Sequence, residues 1–279
     1  MKKKYLVTGG TGFIGRGLVR GLLGKGYGVR ILDNQYRSSL NSLNDLKNEI
    51  EFIEGDIRNP DVLNKASKDI DGVWHLAFIN GTSNFYEKPQ LVLDVGVRGM
   101  LNVIDACKNN NIRELFLASS SEVYQTPNHI PTSEKVSLSI PDPLNPRYSY
   151  GGGKLISELL CLNYGREFFE RVVIFRPHNV YGPNMGFEHV IPQFILRMQK
   201  LIKINDKNII DFKIQGNGAE TRAFCFIDDF IEGLMVLEEY GSHLNIYHIG
   251  TEDEISIRSI AEKIINYFEK KIKVEPGKL

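Results

Sequence analysis

The stretch Lys4-Tyr5-Leu6-Val7-Thr8-Gly9-Gly10-Thr11-Gly12-Phe13-Ile14-Gly15 decides the fold. It opens as a short apolar run, passes through a glycine turn and continues into an amphipathic stretch, which is the order strand, turn, helix. Gly10, Gly12 and Gly15 satisfy G-x-G-x-x-G in that context, and Gly9 offers a second register. Glycine there permits positive φ, removes the Cβ that would hold a pyrophosphate at a distance, and lets the helix pack on the strand. Free N–H groups at the helix N-terminus then face the phosphates. The next apolar run ends at Asp33, 18 residues after Gly15, where a carboxylate accepts hydrogen bonds from an adenosine ribose. A 2′-phosphate would meet that carboxylate, so the position favours NAD; nearby Arg37 is the residue that speaks for NADP.

Nine of the 26 glycines fall between Gly9 and Gly28. Gly24, Gly26 and Gly28 are expected to end the helix and turn the chain, while Gly17 and Gly21, four apart, are expected to let it approach the sheet closely. Beyond them, apolar runs alternate with longer amphipathic stretches. Strands are predicted at Lys4–Thr8, Val29–Asp33, Glu51–Glu54, Gly72–Leu76, Glu114–Ser119 and Arg171–Arg176. Helices are predicted over Phe13–Lys25, Pro60–Ser67, Leu91–Asn109 and about 149–169. Strands joined by crossover helices describe an α/β, Rossmann-type doubly wound parallel sheet. From Pro177 the rhythm changes through Gly-Pro, His-Val-Ile-Pro and a Gly216-Asn217-Gly218 turn, with helices at Ile227–Tyr240 and Ile257–Glu269 and a strand at Asn245–Ile249. This reads as a dinucleotide-binding domain over 1–176 and a smaller, mainly substrate-binding lobe over 177–279, the chain returning to the sheet near 245–249.

Composition excludes several classes. Lys+Arg and Asp+Glu are both 34, so no basic field calls for nucleic acid or an anionic membrane surface. No window approaches the apolar length of a membrane helix, and Met1–Lys4 runs into Tyr5-Leu6-Val7 without a signal-peptide core, the pattern of a cytoplasmic protein. Cys107, Cys161 and Cys225 are odd in number and far apart, so they read as buried small apolar residues, and the six histidines match no metal spacing. His178 is read as packing beside Pro177.

Reactive groups gather in two later segments. The strand Leu115-Phe116-Leu117-Ala118 runs into Ser119-Ser120-Ser121-Glu122-Val123-Tyr124, and Tyr148-Ser149-Tyr150-Gly151-Gly152-Gly153-Lys154 follows. Tyr150 and Lys154 are four apart and share a helix face. A phenol is a poor base at neutral pH; an adjacent ammonium and a positively charged nicotinamide ring would stabilise the phenolate. A strand-end serine would hold a substrate hydroxyl while Tyr150 takes its proton and hydride leaves for the cofactor.

With these residues in view, the chain resembles the extended short-chain dehydrogenase/reductases that modify nucleotide sugars. The resemblance spans essentially the whole chain. It is carried by Thr8-Gly-Gly-Thr-Gly-Phe-Ile-Gly15, Gly55-Asp56-Ile57, His75-Leu76-Ala77, Ser119–Tyr124, Tyr150-xxx-Lys154, Arg176-Pro-His-Asn-Val-Tyr-Gly-Pro183 and Arg222-Ala-Phe-Cys-Phe-Ile-Asp-Asp229. It implies Ser120 as the catalytic hydroxyl, Tyr150 as base and Lys154 as its partner. It further implies Asp56 and Ile57 at the adenine, Leu76 and Ala77 as a wall beside the cofactor, and Pro177 on the nicotinamide side. Gly9, Gly12, Phe13, Ile14, Gly15, Asp33, Asn34 and Ser38 complete the implied cofactor contacts. Phe78, Asn179 and Arg222 are the implied substrate contacts, the last two suited to a diphosphate. The implied chemistry is transient oxidation of a nucleotide-diphosphate sugar, usually at C4, by NAD, followed by epimerisation or dehydration. Net dehydrogenation or 4-ketoreduction, UDP-glucuronate-type decarboxylation and an inert NAD-binding sensor are the alternatives. Ser121 and Glu122 stand where dehydratases of this family carry an acid and a base, so Glu122 could remove a C5 proton while the paired acid is missing. A homodimer is also implied.

Several residues depart from the family pattern. Gly96 and Met100 stand in place of the usual Asn and Thr, Phe78 and Gln125 in place of small residues, and Gly151–Gly153 in place of the usual small residues within YxxxK. A triple glycine is costly inside a helix, and the expectation drawn from it is a bare face that admits a bulkier sugar or a neighbouring chain. Relatives also run some tens of residues further than Leu279.

Overall fold

The quoted stretch forms β1 (Lys4–Thr8), the glycine turn and α1 (Phe13–Gly24). In the computed structural model, which describes residues 2–204, 209–268 and 271–276, the chain continues through β2 (Gly28–Asp33), β3 (Ile50–Glu54), α2 (Pro60–Ala66) and β4 (Gly72–His75). Next come α3 (Thr82–Glu87), α4 (Pro89–Leu93), a π turn (Asp94–Arg98), α5 (Gly99–Asn109), β5 (Glu114–Ala118), α6 (Ser149–Phe168) and β6 (Arg171–Pro177). Beyond these lie β7 (Val180–Tyr181), α7 (Val190–Ile204), β8 (Ile209–Ile214), β9 (Thr221–Ala223), β10 (Cys225–Phe226) and α8 (Ile227–Tyr240). The last elements are β11 (Asn245–Ile249), β12 (Glu254–Ser256), α9 (Ile257–Tyr267) and β13 (Lys271–Pro276). Two predicted boundaries, Glu269 and the terminal Gly277–Leu279, lie outside the described residues.

Packing divides the chain into two units: Met1–His178 with Ile227–Ile249, and Asn179–Phe226 with Gly250–Leu279. The larger unit carries a seven-stranded sheet in the order β11-β6-β5-β4-β1-β2-β3, parallel throughout. The six strands read from the sequence are all in it, with Asn245–Ile249 as the seventh. Strand order reverses between β1 and β4, and in a sheet of this kind the crevice outside the strand ends at that point is where ligands bind. α8, read from the sequence with the smaller lobe, packs in the larger unit.

The strands are apolar because both sheet faces are covered. On one face Leu6, Val73, Leu115, Leu117 and Val172 join Leu63, Val103, Ile104 and Cys161 from the helices. Elsewhere in the buried interior Trp74 and Phe116 stack with ring centroids 4.0 Å apart. α1 ends in a Schellman arrangement, with Gly26 at φ +79 donating to the Leu23 carbonyl and Tyr27 to that of Leu22. Gly17 and Gly21 serve a different neighbour from the one expected. A Cβ on Gly17 would sit 2.8 Å from the Ile231 side chain and one on Gly21 2.9 Å from it, so their bare face admits α8 rather than the sheet.

The smaller unit has its own core, in which Phe194 and Met198 of α7, Phe212 and Ile214 of β8, and Ile260, Ala261 and Ile265 of α9 are buried. β7 pairs with β10, β9 with β12, and β8 with β13. Cys107, Cys161 and Cys225 are buried and not joined in disulfides.

Candidate active site

The glycine turn is shaped mainly by backbone; the Ile31 side chain, 2.7 Å from a Cβ position on Gly10, is the exception. Gly9 takes φ +74, and a Cβ there would lie 2.8 Å from the Ala77 amide nitrogen. A Cβ on Gly15 would overlap the Gly9 carbonyl oxygen. Gly12, by contrast, has only that oxygen near its Cβ position, at 3.2 Å, so its outer side is open. Gly12 also caps α1 without a side-chain hydrogen bond, leaving the first helical N–H groups for an outside acceptor. An open glycine, uncapped donors and a carboxylate at the end of the next strand fit a dinucleotide.

That carboxylate closes the turn. Asp33 accepts from the Thr11 amide at 3.1 Å and the Gln35 amide at 2.8 Å, and the Thr11 and Ser38 hydroxyls are 2.7 Å apart. Asn34 donates to Asp56 at 3.1 Å. The Arg58 guanidinium clasps Asp56 and holds its carboxyl below the usual range, so Asp56 is ionised at neutral pH. Ile57 buries its side chain in the core, against Gly99, and its carbonyl accepts from the Asn102 side-chain amide at 2.9 Å.

At the tip of β4, Thr8 Oγ1 and His75 Nδ1 share a hydrogen bond of 2.8 Å, and the Ala77 amide donates to the same oxygen at 3.3 Å. Burial, with Lys154 nearby, pulls His75 down to about 3, so the ring is neutral and serves as a strut. Leu76 and Ala77 follow, half-buried, beside the glycine turn.

Ser120 follows β5 and caps a short 3-10 turn, accepting from the Glu122 amide at 3.2 Å. Asn145 likewise caps the 3-10 turn Pro146–Tyr148 that leads into α6, placing Tyr150 and Lys154 on its first turns. Tyr150 lies between the Phe85 ring, stacked at 5.0 Å, and the Phe78 ring, edge-on at 5.2 Å. Burial pushes its phenol up to about 12; a hydrogen bond with Ser120 and the charge of Arg37 oppose the rise, while Glu122 adds to it. Lys154 is 3% exposed and donates to the Ala118 carbonyl at 2.6 Å. Burial lowers its ammonium to about 7, with Glu158 opposing. The sequence reading lowers the phenol with Lys154 and a nicotinamide ring together; in the protein by itself, burial outweighs the opposing Ser120 hydrogen bond and Arg37 charge.

The triple glycine also differs from expectation, because its face is filled by the chain's own side chains. A Cβ on Gly153 would lie 3.1 Å from Phe78 Cζ, and one on Gly151 would overlap Gln125 Nε2 and approach the Glu122 carbonyl oxygen at 2.9 Å. Gln125 Nε2 itself donates to that oxygen at 2.5 Å. Gly96, in the π turn that interrupts the predicted Leu91–Asn109 helix, would set a Cβ 2.5 Å from Phe78 Cζ. The bulky departures, Phe78 and Gln125, and the small ones, Gly96, Gly151 and Gly153, fit one another. Only Gly152 faces loose surroundings, with Ile140 Cδ1 at 3.3 Å.

Sequence reading gave no role to four polar residues around this site, Glu158, Arg176, His248 and Arg147. Glu158, one turn beyond Lys154 on α6, pairs with buried Arg176 of β6 at 2.6 Å and accepts from the Ser119 hydroxyl. This ties the helix carrying Tyr150 to the strands carrying Ser120 and Pro177; the spacing Tyr150, Lys154, Glu158 was the available signal. Arg176 also reaches the Tyr124 hydroxyl, which meets His248 Nε2 at 2.6 Å. Arg147 Nη2 lies 3.4 Å from Glu122 Oε2. His178 stacks edge-on to His248 at 4.6 Å; burial lowers it to about 4, and its ring is neutral.

In the smaller unit, Asn179 donates to the Ala223 carbonyl at 3.0 Å, and exposed Arg222 precedes Ala223 on β9. These two implied substrate contacts are thus neighbours there. Among the described residues no cluster of His, Cys, Asp and Glu is arranged to hold a metal, and no helix is long and apolar enough to cross a membrane.

The model of the NAD dependent epimerase/dehydratase family matches residues 5–250. The chain is 32% identical over 269 residues to the UDP-N-acetyl-alpha-D-glucosaminuronate decarboxylase of Bacillus cytotoxicus, covering 95% of this chain and 80% of the relative. It is 33% identical to a putative UDP-glucose 4-epimerase of Methanocaldococcus jannaschii, covering 93% and 80%. Against the dTDP-D-glucose 4,6-dehydratase of Dictyostelium discoideum, 31% identical, it covers 95% of itself but spans only 62% of the relative. Among solved structures, the UDP-N-acetylglucosamine 4-epimerase of Methanobrevibacter ruminantium, in complex with UDP-N-acetylmuramic acid, superposes with a TM-score of 0.84 at 28% identity, covering 100% of this chain and 86% of that one.

Proposed function

The chain belongs to the NAD dependent epimerase/dehydratase family, and from that premise we propose that it is a nucleotide-sugar epimerase or dehydratase working through transient oxidation of the sugar, at C4. The observation that carries this reading is the placement of Ser120, Tyr150 and Lys154 at the ends of β5 and the start of α6, in the unit that also holds the open glycine turn. NAD, when bound, supplies the acceptor that takes hydride from the sugar carbon and returns it. The turn at Gly9, Gly12, Phe13, Ile14 and Gly15 would hold the pyrophosphate. Asp33, with Asn34 and Ser38, would hold the adenosine ribose, and Asp56 and Ile57 the adenine. Leu76, Ala77 and Pro177 would wall the nicotinamide side.

Ser120 Oγ would hold the reacting hydroxyl, and Tyr150 would take its proton as hydride leaves. A phenol buried this deeply ionises near neutrality only with positive charge brought against it; the charge of Arg37 acts in that direction, and Lys154 Nζ lies 5.9 Å from its ring centroid. Glu122, 3.4 Å from Arg147 Nη2, would take a proton from the carbon next to the ketone. Ser121 gives no acid to pair with it, which favours outcomes needing a base alone. Asn179 and Arg222 would grip the diphosphate. Decarboxylation of a uronic acid sugar is the second reading, favoured by the 32% identity to a decarboxylase over 95% of this chain.

A cytoplasmic homodimer is the assembly proposed. Leu93 of α4 and Ile156 and Leu159 of α6 are 38%, 38% and 53% exposed, and Leu144 is 91% exposed beside a cavity of about 360 Å³ that Leu93 and Ile156 also line. Such apolar surface fits burial against a second copy. Anaerobic incubation with UDP-, GDP-, CDP- and dTDP-sugars, followed by reduced-nicotinamide absorbance and product NMR, tests the function. A transient or stoichiometric signal and a new sugar are expected with at least one; an inert protein that still binds NAD would support the sensor alternative.

A further inference from the structure

Phe78 is the bulkiest departure beside the reactive groups, and its surroundings were built for it. Its ring tip occupies the space that side chains on Gly96 and Gly153 would fill. Ser157 holds these two glycine segments together, its hydroxyl 2.8 Å from the Gly153 carbonyl and 3.1 Å from that of Gly96. The π turn at Asp94–Arg98 presents Gly96 at that spot, where a regular helix would continue. Two further facts concern Lys154. Its Nζ lies 4.0 Å from the centroid of the Phe78 ring, and its hydrogen-bond partner is the Ala118 carbonyl at 2.6 Å. A buried ammonium with three donors needs more than one carbonyl; an aromatic face supplies negative charge density without a competing acceptor. The same ring meets Tyr150 edge-on at 5.2 Å.

We propose that Phe78 is a positioning residue for the catalytic pair, its ring face holding the Lys154 ammonium against Ala118 and its perpendicular contact orienting Tyr150, with Gly96 and Gly153 the space this ring requires. The proposal deepens the proposed function, because it presumes that Tyr150 and Lys154 do the chemistry; the contact itself exists without substrate. In effect an aromatic face stands in for polar support of the lysine. The interaction favours the charged amine, opposing the burial that lowers Lys154 to about 7. A desolvated cation–ring contact contributes about 1–2 kcal/mol, equivalent to roughly a tenfold change in the proton affinity of the amine.

The test titrates Lys154 by NMR of isotope-labelled lysine in the full chain without substrate, assigned with Lys154→Met. It compares wild type, Phe78→Leu and the chain with 3,5-difluorophenylalanine at position 78, which keeps the ring shape and weakens its negative face. The expected result is a graded loss of proton affinity, smaller for the fluorinated ring and about tenfold for leucine. Where a turned-over sugar is in hand, the pH–rate profile narrows from both sides, since a weaker ammonium also leaves Tyr150 harder to ionise, and kcat falls more than KM rises. Unchanged titration in both variants overturns the proposal. So does a gain in proton affinity with leucine, which would mean that Phe78 acts by excluding water, and so does a leucine effect that the fluorinated ring does not share. Failure to find any substrate sinks the proposed function but leaves this titration readable.

Discussion

Two glycine clusters lie in the larger unit, and they do different work. At Gly9–Gly15 the missing Cβ atoms make room mainly for backbone, the Ala77 amide pressing on Gly9 and the Gly9 carbonyl on Gly15, with the Ile31 side chain over Gly10 as the exception. At Gly151–Gly153 they make room mainly for side chains, Phe78 and Gln125. Backbone cannot step aside, whereas a side chain can rotate or be exchanged. The first cluster is therefore a fixed requirement of the fold, and the second is one half of a matched set.

The largest effects should fall on the first cluster. Gly15→Ala and Gly9→Ala force backbone apart, and Gly9 must also hold φ +74 with a side chain; each is expected to cost about 3 kcal/mol in denaturant unfolding and to abolish NAD binding by calorimetry. No second substitution nearby should restore either. If Gly15→Ala proved neutral, the backbone account of the turn would be wrong.

Smaller and reversible effects are expected in the second cluster. Gly153→Ala meets only the tip of Phe78 at 3.1 Å, so a cost of about 1–2 kcal/mol is expected. Phe78→Leu in the same chain should recover much of it, giving a coupling of at least about 0.5 kcal/mol in a double-mutant cycle. Additive costs would break the contrast between the clusters.

Lys154, packed beside this second cluster, makes stability depend on pH. Its folded proton affinity is lowered by burial from 10.5 to about 7, so between those values the unfolded chain binds more protons than the folded one. Stability contributed by this group therefore rises with pH from about 7 to about 10.5 and is flat below that window. Thermal unfolding should show Lys154→Met more stable relative to wild type at neutral pH than at pH ~10. A gap that widens with pH would contradict the burial.

The smallest effect has the opposite sign. Gly152 is helical and faces only Ile140 Cδ1 at 3.3 Å, on a half-exposed side chain. Gly152→Ala should stabilise by about 0.5–1 kcal/mol through helix propensity, read as a raised denaturation midpoint.

How far each region was legible follows from the range of its contacts. The sheet strands announce themselves as apolar runs because both faces are buried, and the glycine turn because its glycines follow one another within a few residues, although the Ala77 amide that presses on Gly9 is far along the chain. The pairing of Tyr150 with Lys154 was readable from local spacing, whereas Ser120 was singled out from its neighbouring serines only by the family resemblance. The fit of Phe78 to Gly96 and Gly153 was not readable, since residues distant in sequence meet only after α4, the π turn and α6 have packed. The π turn hid inside a continuous helical pattern for the same reason. Lys154 as a neighbour of Tyr150 was legible; the enclosure by Phe78 and Phe85 that raises the phenol to about 12 was not.

The central claim is that hydride leaves a sugar carbon and returns while Tyr150 handles the hydroxyl proton. It is tested most directly by giving the NAD-loaded protein a C4-deuterated nucleotide sugar from the active panel and following the label by NMR, in wild type and in Tyr150→Phe. The account predicts a product that keeps its deuterium within the sugar, and turnover lowered by roughly 100-fold or more in the variant, which still binds NAD. Label lost to solvent, or a variant as fast as wild type, would contradict it.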